Sequence, residues 1–383
     1  MKLYWSPVEL VSRLARKGIT YNFASGAPDV TVLPIDEVRR SFENVYEKYE
    51  TSILAYPGAG GLKELRTELA KYLSRVLGIR ASWRDIIVTA GAQHAIKLLS
   101  QLMIRRGTVI YTENPTFVET VAPMRFQGAR LIGVPMDNEG MITQELESLI
   151  RKHGPGIIYT IPNCHNPTGV SLSRDRRKHL LEIAEKYNLK IIEDDPYTSL
   201  YLNTQPPLKS INDDVIYVGT LSKVLGPGFR IGFVVVGGAL RNNLEKLEQH
   251  DFASSTLTQY LVYDLLRRGV AERVIDEARG LYSRKLGELV DSLNHYLPGS
   301  LMFNPSCGFY AFISTKINAW HLLRKCTKAG IAFVPGDKFY VSDGRLDTAR
   351  LSIGSIRIDL IRDGIKTLSN IKDNEHQHHL MIT

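Results

Sequence analysis

Short aliphatic runs, polar turns and longer amphipathic stretches alternate along the chain. The runs at 85–90 (DIIVTA), 108–112, 130–134, 156–161, 190–195 and 215–218 are bounded by turn residues and predict buried strands. Apolar positions at helical spacing predict helices over IDEVRRSFENVYEKYE after Pro34, LKELRTELAKYLSRVLGI, AIKLLSQLMIRRG, 174–189 and 239–296. Strand followed by helix, repeated, predicts an α/β fold: a three-layer large domain with a mostly parallel central sheet. Beyond Ser300 the pattern changes to a smaller α+β unit. It has strands in PSCGFYAFIS, IAFVPGDKFY and ARLSIGS and a helix from Trp320 to Ala329. A short helix in the first 20 residues precedes an irregular segment around Gly26 and Pro28. The expected division is an arm and helix at 1–40 contributing to the small domain, a large domain at 41–290, a small domain at 291–372 and a flexible tail at 373–383. His376, His378 and His379 read as part of that tail rather than as a metal site.

Composition narrows the function classes. With 383 residues, 44% hydrophobic and 23% charged, the chain has the make-up of a soluble globular protein. No run is long and apolar enough to span a bilayer, and MKLYWSPVELVSRLARKG has no continuous signal core, so the expected location is cytoplasmic. Cys164, Cys307 and Cys326 are too few and too scattered for a disulfide framework or a metal site. The net charge of +8 is spread along the chain. Its densest basic run, Arg174 to His179, reads as a solvated helix face rather than a nucleic-acid site; small anionic ligands fit the mild positive balance.

The candidate chemistry gathers where strands end. Between two apolar runs the turn TLSKVLGPGFR carries Thr220, Ser222, Lys223 and Arg230. Burial lowers a lysine's pKa and makes its amine a nucleophile toward a carbonyl. Two hydroxyls and an arginine beside it suit a phosphate dianion. Together they suggest pyridoxal phosphate, although the turn alone reads equally as a solvated loop. Gly91, Ala92 and Gln93 follow a strand and begin a helix, which places free backbone N–H groups where an anion can bind. Asp194 offers a carboxylate to a pyridinium nitrogen, and Asn166 and Tyr197 offer donors to the ring's phenolic oxygen. Phe117, also past a strand end, suits either ring stacking or the core. The glycines after Tyr56 lack the spacing of a nucleotide fingerprint and read as a connector.

The motifs PNCHNPTG, EDDPY and TLSKVLGPGFRIG, in that order, resemble those of fold type I pyridoxal-phosphate enzymes. The closest resemblance is to the class I/II aminotransferases, in the branch of the 2-aminoadipate and aromatic enzymes, and it covers roughly Phe23 to Ser355. It implies that Lys223 is the Schiff-base lysine and proton shuttle and that Asp194 is the pyridinium partner. Asn166 and Tyr197 are then ligands of the ring oxygen, and Phe117 is the stacking ring. Thr220, Ser222, Arg230, Ala92 and Gln93 are implied phosphate ligands. Tyr56 is implied to reach the phosphate of a neighbouring subunit, hence a homodimer with shared sites. Arg350 is implied to clamp the substrate α-carboxylate, assisted by the Gly26 backbone, with Asn166 also implied in substrate binding. Threonine at 220 and phenylalanine at 117 depart from the family's commoner serine and tyrosine. The short arm departs from its usual specificity helix, and with no winged helix before Gly26 the regulator branch is not expected. The expected activity is transfer of an amino group from an L-amino acid to a 2-oxo acid, 2-oxoglutarate for preference, by a ping-pong route. A β-eliminating lyase and a silent ligand-binding relative are the alternatives.

Overall fold

The computed structural model describes residues 5–14, 18–251, 254–342 and 344–380. Helix α1 (Pro7–Leu14) and strand β1 (Tyr21–Asn22) lead into α2 (Ile35–Tyr49) and α3 (Lys63–Leu77). The α/β region opens with β2 (Ile86–Thr89), α4 (Ala92–Met103), β3 (Val109–Asn114), α5 (Val118–Phe126), β4 (Arg130–Asp137), β5 (Gly140–Met141), α6 (Thr143–His153) and β6 (Ile157–Thr160). It continues with α7 (Arg174–Lys186), β7 (Lys190–Asp195), α8 (Leu208–Ile211), β8 (Ile216–Thr220) and β9 (Gly232–Val235). Helices α9 (Gly238–Glu248), α10 (Thr256–Arg267) and α11 (Val270–Tyr296) follow. The C-terminal part holds β10 (Tyr310–Ser314), α12 (Ala319–Lys328), β11 (Ile331–Ala332), β12 (Val334–Pro335), β13 (Thr348–Ser352) and α13 (Ile358–Leu380).

The central sheet has the order β2-β9-β8-β7-β6-β3-β4-β5. Its middle pairs run parallel, while β9 is antiparallel to both neighbours and β5 to β4. Successive strand residues supply opposite cores, as the pleat requires. Ile192 and Val218 pack among α4, α5 and α9, whereas Ile191 and Tyr217 pack on the other side. A fully covered sheet explains why these strands read as continuous apolar runs.

The smaller unit is the antiparallel sheet β10-β13-β12, with β1 pairing in parallel to β11. The N-terminal segment thus joins the C-terminal unit. IAFVPGDKFY, expected as one strand, is split: β11 pairs with β1 and β12 with β13, and Pro335, lacking an N–H, is followed by a short 3-10 turn at Asp337–Phe339. In PSCGFYAFIS only Tyr310–Ser314 is strand, because Gly308 turns the chain at φ 80°. The expected boundary at 290 falls inside the continuous helix α11. Helix α13 runs through the polar tail to Leu380, with neither Pro nor Gly after Gly364 to stop it. The side chains of the three tail histidines lie outside the described residues.

The reading of the cysteines needs correction. Cys164 and Cys307, 143 residues apart, form a disulfide with Cα atoms 4.9 Å apart. Spacing in sequence carries no sign of this pair; packing of the turn after β6 against the segment before β10 creates it. Cys326 is free and buried. Cross-linking so long a loop restricts the unfolded chain, so Cys307→Ser is expected to lower stability by about 2–5 kcal/mol. Urea unfolding under non-reducing conditions measures it, with Cys326→Ser as the variant that keeps the bridge.

Candidate active site

The carboxyl ends of β6, β7 and β8 and the start of α4 open onto a cavity of about 400 Å³. Open α/β sheets bind ligands at such strand ends. The small unit contributes Tyr310 and Arg350 to the wall, and the N-terminal segment contributes Val8, Gly26 and Ala27.

Lys223 sits in the turn after β8 and donates to the Gly26 carbonyl at 2.8 Å. Burial, with the Arg350 and Arg230 charges nearby, lowers its pKa to about 8. Asp194, next to last in β7, faces the cavity, and burial pushes its pKa up to about 7. The Tyr159 hydroxyl donates to its Oδ2 at 2.7 Å. Asp195 does not line the cavity. Its carboxylate instead accepts from the Thr198 N–H at 3.0 Å, the Thr198 hydroxyl at 2.6 Å and the Tyr217 hydroxyl at 3.1 Å. It therefore shapes the turn that carries Tyr197.

Arg350, on β13, is fully buried. One Nη donates to Asn166 Oδ1 at 3.1 Å, the other to the Ala24 carbonyl at 3.0 Å, and its Nε has no partner among the described residues. Thr220 and Ser222 hydroxyls lie 3.0 Å apart. Arg230, held in the left-handed region at φ 51°, donates to the Ala90 carbonyl at 3.2 Å. Gly91, at φ 84°, caps α4, and a Cβ there would stand 2.4 Å from Arg230 Nη2. The arginine and the helix start thus meet at one point.

The cavity brings together Gly26, Ala92, Gln93, Phe117, Asn166, Asp194, Tyr197, Thr220, Ser222, Lys223, Arg230 and Arg350. Gly91 backs it. Tyr56 is not in its wall and lies 80% exposed on the surface. Sequence reasoning missed Tyr159, Glu119 and Tyr310. Glu119 lines the cavity from the first turn of α5 and accepts from the Ser6 hydroxyl at 2.5 Å. Only the parity of Tyr159 with the strand residues beside it hints at its place; the other two depend on contacts between distant segments.

This donor set fits pyridoxal 5′-phosphate. Two hydroxyls, Arg230 and a helix N-terminus suit the phosphate, a buried carboxylate suits the ring nitrogen, and hydroxyl and amide groups suit the ring oxygen. The orphaned Nε of a buried arginine marks a place for a further acceptor.

Comparison with known proteins agrees. Residues 19–358 match the sequence family described as Aminotransferase class I and II. The aromatic-amino-acid aminotransferase 1 of Thermococcus litoralis is 30% identical over 377 residues, 95% of this chain and 90% of that protein. The 2-aminoadipate transaminase of Thermus thermophilus is 29% identical over 94% of this chain and 91% of its own. A crystal structure of Pyrococcus horikoshii kynurenine aminotransferase in complex with PMP superposes with a TM-score of 0.91 at 29% identity, covering 98% of this chain and 96% of that one.

The two neighbouring aspartates are expected to separate in stability measurements without cofactor. A raised folded pKa means that ionising Asp194 costs stability as pH climbs from its ordinary 3.8 through about 7. Asp194→Asn should therefore stabilise increasingly over that window and level off above it. Asp195→Ala strands its buried donors and should cost about 2–4 kcal/mol. Urea unfolding of both variants from pH 5 to 8 tests the contrast.

Proposed function

This chain belongs to the class I and II aminotransferases, and we propose that it passes the amino group of an L-amino acid to 2-oxoglutarate in two half-reactions at one site. The donor's oxo product leaves before the acceptor enters. The enzyme is an aminotransferase with pyridoxal 5′-phosphate as cofactor. The observation that carries the reading is one cavity holding an amine of lowered pKa, a buried carboxylate and a buried arginine with an unpaired Nε.

When bound, pyridoxal 5′-phosphate supplies the electron sink for the substrate's α-carbon. Lys223 would hold the cofactor through its amine, and that amine, facing the cavity, would move a proton to and from the substrate's α-carbon. A pKa near 8 suits that exchange, since the amine both accepts and returns a proton close to neutral pH. Asp194 would hold the proton of the ring nitrogen. Asn166 and Tyr197 would donate to the ring oxygen, and Phe117 would cover the ring. Thr220, Ser222, Arg230 and the Gly91–Gln93 helix start would hold the phosphate. Arg350 would grip the α-carboxylate beside the Gly26 backbone.

The assembly is a homodimer in which Tyr56 reaches the partner's phosphate site. Support comes from exposed apolar side chains on α2 and in the turn before Tyr56, which a second copy would cover: Ile35 is 74% exposed, Tyr46 72% and Leu54 82%. We read 1–40 with 291–372 as the small domain and 41–290 as the large one, the division running along α11. Cytoplasmic residence belongs to the same reading; among the described residues no helix is long and apolar enough to cross a membrane. Both bridged sulfurs are buried, so a reductant reaches them only through local opening. The relatives named above are aminotransferases, which favours neither the lyase nor the silent alternative.

Incubating the enzyme with a panel of L-amino acids and 2-oxoglutarate should yield glutamate in step with the donor's oxo acid. Release of ammonia and pyruvate without a new amino acid would reject transfer. Borohydride reduction of the loaded enzyme should leave the pyridoxyl group on Lys223, read by peptide mass mapping; an adduct on any other lysine overturns the assignment. A buried charge pair broken in a closed site costs about 2–5 kcal/mol, so Arg350→Lys should lower kcat/KM at least ~30-fold. The loss should be uniform across accepted donors. A loss confined to acidic donors would make Arg350 a side-chain reader.

A further inference from the structure

Tyr310 was absent from the sequence expectations, yet it touches three parts of the site. Its hydroxyl lies 3.0 Å from that of Tyr197. The Arg350 guanidinium lies over its ring, 4.4 Å from the centroid. Gly26, whose carbonyl accepts from Lys223, packs so closely that a Cβ there would stand 2.5 Å from the Tyr310 hydroxyl. Register explains the placement. Phe312 of β10 faces Arg350 of β13 and Tyr310 faces Ser352, so Tyr310 is the diagonal neighbour of Arg350.

We propose that Tyr310 is a positioning residue: its hydroxyl strengthens the Tyr197 donor and its ring face seats the Arg350 clamp. The proposal rests on the reading that Tyr197 donates to the cofactor's ring oxygen. A phenol has one proton. With that of Tyr197 committed to the ring oxygen, Tyr310 must be the donor in the hydroxyl pair. A bond donated to Tyr197's oxygen makes its own O–H a stronger donor. In the loaded enzyme the Lys223 nitrogen and the ring oxygen would share a proton. Its loss would leave negative charge on the oxygen to be carried by its donors, so a weaker donor would raise the pH of that loss. The titratable and charged groups facing Tyr197 are Tyr310 from β10, Arg350 from β13, Asp194 at the end of β7 and Lys223, 5.9 Å from the Tyr197 ring.

The test is a pH titration of the visible absorbance of the loaded enzyme, with steady-state kinetics beside it. Tyr310→Phe keeps the ring and should raise the absorbance midpoint by roughly half a unit to one unit. Tyr197→Phe should raise it further, and Tyr310→Phe should add nothing in that background. Tyr310→Leu also removes the ring face and should raise the donor KM about 2- to 30-fold, whereas Tyr310→Phe leaves it within about twofold. A shift in Tyr197→Phe with none in Tyr310→Phe would overturn the proposal and leave the proposed function intact. No shift in Tyr197→Phe would remove the ring-oxygen reading itself. An additive shift in the double variant would show that Tyr310 does not act through Tyr197.

Discussion

Three cations share one partly closed cavity, and the site depends on how they are held there. Lys223, Arg230 and Arg350 face it, with Asp194 and Glu119 as the opposing carboxylates among the described residues of its wall. Desolvated charge is costly, and here it is quieted by backbone carbonyls from other segments, Gly26 for Lys223 and Ala24 for Arg350; Arg230 stays exposed and donates to the Ala90 carbonyl. Such dipoles hold the cations in place without neutralising them. The remaining positive potential favours a ligand that brings both a phosphate and a carboxylate.

Two of those carbonyls belong to the segment after β1, which makes that segment the hub between the large sheet and the small one. It is anchored from below. Lys285 of α11, fully buried, pairs with the Asp29 carboxylate and donates to the carbonyls of Ile353 and Gly354 at 3.2 Å. The Asp29 N–H donates to the Tyr282 hydroxyl at 3.0 Å. Breaking a buried pair of this kind costs about 3–5 kcal/mol because one charge is left alone. The chain between Phe23 and Asp29 is short, irregular and locally unremarkable in sequence; its geometry is set by contacts with α11, β13 and the turn after β8.

Acids at the end of β7 show how one strand serves two purposes. Glu193 accepts from the N–H groups of Leu208 and Lys209 at 2.8 Å, Asp195 ties down the Thr198 turn, and Asp194 between them faces the cavity. Alternation along the strand separates ligand chemistry from turn architecture within three consecutive residues. The two structural acids spend their lone pairs on protein donors. Asp194 keeps one hydroxyl donor, from Tyr159, and a pKa near 7 that an approaching ring nitrogen can use.

Local pattern by itself determined the α/β class and the position of most strands and helices, because buried strands and amphipathic helices carry their periods in the sequence. It also singled out the turn around Lys223, the acids of β7 and the turn at Asn166, since open α/β sheets bind ligands just past their strand ends. What it left undecided depends on registers and packing between distant segments. The split of IAFVPGDKFY between two sheets, the Cys164–Cys307 bridge, the closeness of Tyr310 to Arg350 and Tyr197, and the seat of Glu119 against Ser6 all pair residues far apart in the chain. Those pairings are settled by which surfaces close on each other: β1 on β11, β10 on β13, the turn after β6 on the segment before β10, and the small sheet on the turn after β7. No local period encodes these contacts, so only the tertiary structure decided them.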